Sequence, residues 1–277
     1  MKKKQKLVEK NRIGICKLTQ GSGTFVESHL IPKALTKPAQ KGVPFFQLRA
    51  DGPPIKRWNS WYDTELVTRA GEDILAEFDT WAINELRKHR LIWSSWGKDR
   101  SLGSHHRPIK ETPWGIRKLD GIDSKKLRLF FLTLLWRAAA TNLPEFSDVR
   151  LPQEDLERLR LMICNRIVEP VSFYPVQLTQ LSTIGIIHNH APICELKAIR
   201  SPAPDMPDRK MLVYRFYFDG LIAHIHAHSS DDGFTSELGN LIVGMENSLL
   251  VPTQTYENSY QSNRLILGLP NIALSTM

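Results

Sequence analysis

One histidine stands where its neighbours would fix it in place. The stretch Ser28-His29-Leu30-Ile31-Pro32-Lys33 sets an imidazole ahead of two aliphatic residues and a proline. This order predicts a short strand that stops at the proline ring, with His29 presented at its start. A neutral histidine is well suited to take a proton from water near pH 7, as hydrolysis at a divalent metal requires. The alternative is an ordinary, partly buried histidine beside an aliphatic pair.

Carboxylates that could accompany this histidine lie on the first helix that the sequence predicts. Apolar residues recur at helical spacing over residues 72–91, and acids occupy the first turn, where the helix dipole favours negative charge. The polar face of this helix offers Glu72, Asp79 and Glu85.

Basic residues predict an anionic partner. The formal net charge is +8 and the isoelectric point is about 9.4, which favours nucleic acid over a membrane surface. Residues 92–122 lack periodicity and interleave cations with Trp93, Trp96 and Trp114, a pattern typical of nucleic-acid surfaces. The alternative is that these aromatic residues anchor a loop to the core. A basic arm at residues 1–12 could also meet phosphates. The cations assigned to nucleic-acid binding are Lys33, Arg100, Arg107, Lys110 and Arg117.

The sequence predicts neither a membrane span nor a secretory signal. It has no apolar run long enough to span a bilayer, and its cationic start is not followed by an apolar segment, so we expect no membrane partner. Three scattered cysteines fit a reducing compartment, and the cytoplasm is the expected location.

The second half of the sequence predicts helices followed by strands. Helices are expected at 124–141 and directly after Pro152, and strands at 180–187, 193–200, 210–218, 221–227 and 264–269. Asp219-Gly220 is a strong two-residue hairpin signal. His224, His226 and His228 alternate along one strand, where they form either a metal-binding face or, more commonly, an ordinary polar face.

Several motifs together resemble a family of little-characterised bacterial HNH-like nucleases. The usual order in that family is a Cys pair, S-H-I-I-P-K, a second Cys pair followed by Glu, and a helix. The matching segments here are Cys16-Lys17-Leu18-Thr19, Ser28-His29-Leu30-Ile31-Pro32-Lys33, Leu66-Val67-Thr68-Arg69-Ala70-Gly71-Glu72, Leu132-Thr133-Leu134-Leu135-Trp136-Arg137-Ala138 and residues 214–221. The resemblance covers most of the chain with motifs of moderate specificity.

The resemblance implies a fold and a reaction. The fold is α+β: an HNH-like ββα-metal module with its basic arm at residues 1–91, a basic aromatic loop at 92–123, and helices on a small antiparallel sheet at 124–277. By the resemblance His29 is the general base, and Glu72 or Asp79 binds a catalytic Mg²⁺ or Mn²⁺. The expected partner is nucleic acid, DNA before RNA, and the family suggests anti-phage defence, with room for a partner protein in a defence complex.

The sequence departs from the family at the structural zinc. Thr19, Thr68 and Gly71 occupy three of the four cysteine positions, and one thiolate cannot hold a closed tetrahedral zinc, so we expect no structural zinc. Ser28 also stands where many HNH sites have an acid. The alternative function is therefore a catalytically inactive relative that serves as a nucleic-acid-binding or protein-interaction module.

Overall fold

The computed structural model describes residues 12–36, 44–48, 55–199, 209–227 and 233–268. The strands are β1 Ile13–Ile15, β2 Ser22–Thr24, β3 Ser28–His29, β4 Phe45–Leu48, β5 Ile55–Arg57, β6 Tyr62–Asp63, β7 Arg107–Pro108, β8 Trp114–Asp120, β9 Val176–Leu181, β10 His188–Ile199, β11 Arg209–Phe218, β12 Leu221–His226 and β13 Ser248–Gln254. The helices are α1 Lys33–Thr36, α2 Arg69–Lys88, α3 Ser124–Ala140, α4 Gln153–Asn165, α5 Gly233–Leu238 and α6 Tyr260–Gly268. Most of the basic arm and His228 lie outside the described residues.

A mixed sheet forms the centre of the described chain. Its nine strands follow the order β5-β4-β10-β11-β12-β9-β13-β8-β7. The β10–β4 and β13–β9 pairs are parallel, and the other pairs are antiparallel. The mixed α and β content was predicted correctly. The prediction of a small antiparallel sheet was wrong, because the sheet is large and mixed and takes its strands from residues 1–91, 92–123 and 124–277 alike.

The centre of the sheet follows from its sequence. Strands β11 and β12 meet at Asp219-Gly220, whose φ angles of 50° and 81° are those of the predicted hairpin turn. Alternation sends Tyr214, Phe216 and Phe218 to one face, where they join the main core. Helix α3 packs on this face and is buried along nearly its whole length.

The helix predictions match the structure closely. Helix α3 was predicted at 124–141 and runs from Ser124 to Ala140, and α4 begins directly after Pro152, as predicted. Helix α2 was predicted at 72–91 and runs from Arg69 to Lys88. The side chain of Asp123 accepts a hydrogen bond from Lys126 N at 2.9 Å and so caps α3. In α2, Leu75, Phe78 and Ala82 are among the residues that turn one apolar stripe into the core.

Residues 92–123 differ from the predicted loop. They contain β7 and β8, and β8 pairs with β13 over its whole length. Trp93 and Trp96 are buried in a small cluster with Tyr217 and Tyr256, which is the core-anchoring alternative, while Trp114 is exposed. The segment is therefore largely an edge of the sheet.

The predicted last strand was also wrong. Residues 260–268 form helix α6, in which Leu265 is buried. Strand 180–187 was misplaced as well, because the pairing strand β9 ends at Leu181. Within the described residues, no helix has the length and apolar character needed to cross a bilayer.

Gly220 tests how the hairpin is packed. A Cβ atom at this glycine would lie 2.4 Å from the Trp93 ring, and its φ of +81° is unfavourable for other residues. We expect Gly220→Ala to lower the free energy of unfolding by about 2–4 kcal/mol through backbone strain and overpacking. Urea denaturation measures this change. Gly121→Ala is the control, because Gly121 has a φ of +70° but nothing within 4 Å. Equal losses in the two variants would contradict the packing role.

Candidate active site

The four positions that resemble zinc-ligand positions meet in space. The backbone N–H of Thr19 donates to Cys16 Sγ at 3.4 Å, and a Cβ atom on Gly71 would lie 2.6 Å from the same sulfur. Burial acts to raise the pKa of Cys16, but hydrogen bonds from Thr19 and Thr68 outweigh it and lower that pKa. Cys16 thus lies where the turn after β1 meets the start of α2.

The donor set at this junction does not fit a structural zinc. Cys16 is the one sulfur among these four positions, and the close approach of Gly71 leaves its surroundings tightly packed. Leu18 and Val67, both fully buried, add apolar packing to the same region. Side-chain packing therefore stabilises this junction. In the HNH-like proteins that the motifs resemble, a bound zinc ion would stabilise it.

Two short strands and a helix position His29. Strand β3 pairs with β6, so that Ser28 faces Asp63 and His29 faces Tyr62. Val26 N donates to Val67 O at 3.2 Å, which ties the chain before β3 to the residues that lead into α2. The order strand, strand, helix is that of a ββα unit, with α1 and strands β4 and β5 inserted between its strands.

His29 has the environment of a neutral base. Its side chain is half-buried, and the centroid of its ring lies 6.3 Å from that of Tyr62. Burial lowers the pKa of His29; the charge of Lys33 acts in the same direction, while Glu27, Glu72 and Asp79 oppose it. The imidazole is therefore neutral at pH 7 and free to accept a proton. The structure thus brings the predicted base close to both predicted carboxylates.

Asp79 does not have a free carboxylate. Its Oδ1 accepts from Arg137 Nη2 at 2.5 Å and its Oδ2 from Arg137 Nη1 at 3.0 Å. The Arg137 side chain is 1% exposed and also donates to the carbonyl oxygen of His29 at 3.0 Å. The prediction that Asp79 binds the catalytic metal therefore needs correction: its carboxylate neutralises a buried guanidinium that holds strand β3.

Glu72 has the free carboxylate oxygen near His29. Its Oε2 is buried and has no hydrogen-bond partner. No group of three or more His, Cys, Asp or Glu side chains in the described chain is arranged to hold a metal ion. Mg²⁺, however, is often held by one or two carboxylates with water and substrate phosphate. The orphaned Glu72 oxygen fits that minimal arrangement.

The predicted nucleic-acid residues separate into two groups. Lys33, Arg100, Arg107 and Lys110 are exposed, as a phosphate-binding role requires. Arg100 lines a cavity of about 340 Å³ that also contacts Ala34 and Leu35 of the helix that begins at Lys33. Lys110 forms an exposed ion pair with Glu111.

The prediction that Arg117 binds nucleic acid was wrong. Its side chain is buried, donates to His89 O at 2.8 Å and to Arg90 O at 3.2 Å, and also bonds Gln180 Oε1. Burial lowers the pKa of Arg117 to about 10. These carbonyls end α2, so Arg117 caps the C-terminus of that helix.

A surface cleft next to Tyr62, the strand partner of His29, was not predicted from the sequence. It encloses about 400 Å³ and is lined by residues 56–62 together with Leu143 and Glu145. Trp58 is 61% exposed there, while Trp61 is buried. Lys56 and Arg57 add positive charge, and Arg57 lies 3.6 Å from Glu145. In the sequence, the run Lys56-Arg57-Trp58 is the feature that could have indicated this cleft.

Comparison of the chain with protein-family models, curated proteins and solved structures finds no match. The functional conclusion rests on the geometry around His29 and on the resemblance of the motifs.

Proposed function

We propose that this chain is an HNH-like, metal-dependent nuclease that hydrolyses phosphodiester bonds in DNA. The observation that carries the proposal is the position of His29: a half-buried, neutral imidazole on β3, paired with β6 and close enough to Glu72, which has an unpartnered carboxylate oxygen, for that charge to act on it. The defence role and a partner protein rest on the family resemblance alone, and the cytoplasmic location rests on the cysteine content and on the lack of a predicted membrane span or secretory signal.

The chain's own residues supply most of the proposed mechanism. An imidazole nitrogen of His29 takes a proton as water attacks phosphorus, and the P–O bond to the leaving oxygen breaks. Glu72 would hold the divalent cation, which supplies charge stabilisation at the phosphate when bound. Arg137 fixes His29 through its backbone carbonyl, and Lys56 and Trp58 lie where the cleft could receive a phosphate and a base.

Metal dependence tests the proposal. Purified protein should nick supercoiled plasmid in Mg²⁺ or Mn²⁺ and stop when EDTA is added. Glu72→Gln should raise the metal concentration needed for half-maximal rate by about tenfold or more, because a neutral amide is a much poorer cation ligand. Glu77→Gln, an exposed substitution on the same helix, is the control. An unchanged metal requirement in Glu72→Gln would remove Glu72 from the site.

A second candidate function is a non-catalytic nucleic-acid-binding or protein-interaction module. The commitment of Asp79 to Arg137 favours it, since this pair removes one of the two alternative carboxylate ligands that were predicted for the metal. Binding of DNA without cleavage in any divalent metal would support this candidate against the nuclease.

A further inference from the structure

Two aromatic rings face solvent in the surface cleft. Trp58 and Tyr62 both line this cleft of about 400 Å³ and are 61% and 41% exposed. Trp61, which lies between them in sequence, is buried and packs edge-on against Phe146, with the ring centroids 5.6 Å apart. Its carbonyl oxygen also accepts from Leu30 N, directly after β3, at 3.2 Å. The segment is thus anchored to the core through Trp61, and the rings on either side of it stay open.

Open rings in a concave surface indicate a ligand site. An indole or phenol ring left in water forgoes the stabilisation that burial of its apolar area would give. Rings that line a cleft regain that stabilisation when a flat ligand stacks on them. The chemistry of the other lining residues then decides which flat ligand fits.

Charge in the cleft favours an anionic ligand. Lys56 and Arg57 line it against one carboxylate, that of Glu145, so two cations and one anion leave a formal excess of one positive charge. Arg57 lies 3.6 Å from Glu145, whereas Lys56 forms no ion pair with any described residue. Lys56 is exposed and precedes Trp58 by two residues. A cation beside an open aromatic ring is the combination that binds the phosphate and the base of a nucleotide.

Tyr62 connects the cleft to His29. The two residues lie directly opposite each other in the β3–β6 pair, and the centroids of their rings are 6.3 Å apart. A stacked nucleic-acid strand rises about 3.4 Å per nucleotide, so this distance corresponds to about two nucleotides. A strand held in the cleft can therefore bring a phosphodiester to the imidazole.

We propose that the cleft binds unpaired nucleotides of DNA, with a base stacked on Trp58 and a phosphate beside Lys56. Within a duplex, both faces of each base are covered by neighbouring bases, whereas an unpaired base has a face free to stack on a protein ring. The volume of the cleft is in the range of sites for small molecules, so it admits single nucleotides and excludes a duplex. Since this proposal names the form of DNA that reaches His29, it rests on the proposed function.

Binding in EDTA tests the cleft without any need for cleavage. In fluorescence anisotropy, the wild type should bind a short labelled oligothymidylate roughly tenfold or more tightly than a duplex of the same length, because base stacking adds to the charge attraction that both share. An abasic strand of that length keeps the phosphates and should lose this advantage. Affinity for the duplex or the abasic strand that equals affinity for the oligothymidylate overturns the proposal. Tighter binding of the corresponding RNA overturns the assignment to DNA.

Variants separate stacking from charge. Trp58→Ala should weaken single-strand binding by roughly 5- to 100-fold, the loss of one base–aromatic stack, and leave the salt dependence unchanged. Trp58→Phe keeps an aromatic face and should recover most of the affinity. Lys56→Gln should instead reduce the slope of log affinity against log salt by about 0.7, the value of one phosphate contact on a single strand.

Leu161→Ala on α4 is the control, because this side chain is 43% exposed and lies outside the cleft lining. It should alter neither the affinity nor the salt slope. Equal weakening by Trp58→Ala and Leu161→Ala overturns the cleft as the binding site.

The two proposals fail in different ways. A single-strand preference that depends on Trp58, without cleavage in Mg²⁺ or Mn²⁺, supports the binding site and contradicts the nuclease. Cleavage that is lost in His29→Ala, without a single-strand preference and without an effect of Trp58→Ala on binding, supports the nuclease and overturns the binding site.

Discussion

Replacing His29 with alanine is expected to slow plasmid cleavage by about 10² to 10⁴-fold, the usual contribution of a general base. DNA affinity should remain unchanged, because the cations predicted to bind DNA, such as Lys33 and Arg100, are exposed and are retained in this variant. The side chain is half-buried and its backbone carbonyl, which Arg137 binds, is retained in the variant. The fold should therefore survive.

The pH dependence of the wild type gives a second measure of the same role. Burial lowers the pKa of His29 below the ordinary value of 6.5. The base is active when neutral, so the cleavage rate should hold as pH falls toward 6.5 and decline only as pH passes through the lower pKa of the folded protein. A decline that begins well above 6.5 would assign the base to another group.

Single-turnover nicking with Mg²⁺ measures the rate, and gel retardation in EDTA measures binding. His105→Ala is the control, since His105 is exposed in the turn before β7 and should have no effect on either measurement. Cleavage by His29→Ala at the wild-type rate would show that His29 is not the base.

Local patterns predicted those parts of the fold that local physics decides. The apolar stripe of α2 and the Asp219-Gly220 turn are encoded within a few neighbouring residues. Residues 264–269 failed because their short apolar run suits a strand or a buried helix equally, and α6 is decided by packing that buries Leu265.

The candidate site was predictable in part for the same reason. Glu72 and Asp79 are two helical turns apart, so the sequence placed both on one face, and both act on His29. Their different roles could not be read locally, because the partner of Asp79 is 58 residues away on α3. Arg117 likewise looked like a surface cation, but its long-range partners include Gln180, 63 residues further along the chain.

The Asp79–Arg137 pair should dominate the stability of the site. Asp79→Ala leaves a guanidinium that is 1% exposed without its counter-ion, and loss of one partner from a buried ion pair typically costs 3–5 kcal/mol. We expect about that decrease in the free energy of unfolding, measured by urea denaturation. Glu77→Ala provides the control, because Glu77 lies on the same helix and pairs with Arg166 at side chains that are 49% and 53% exposed. That change should cost less than about 1 kcal/mol.

Removing both charges separates pairing from metal binding. The double variant Asp79→Leu with Arg137→Met exchanges the pair for apolar groups of similar size, and such exchanges are often close to neutral in stability. It should therefore recover most of the stability that Asp79→Ala loses, although His29 would lose its bond from Arg137 and cleavage would slow. If Asp79→Ala instead keeps wild-type stability and requires more metal for cleavage, Asp79 is a cation ligand, and the ion pair with Arg137 does not hold the site together.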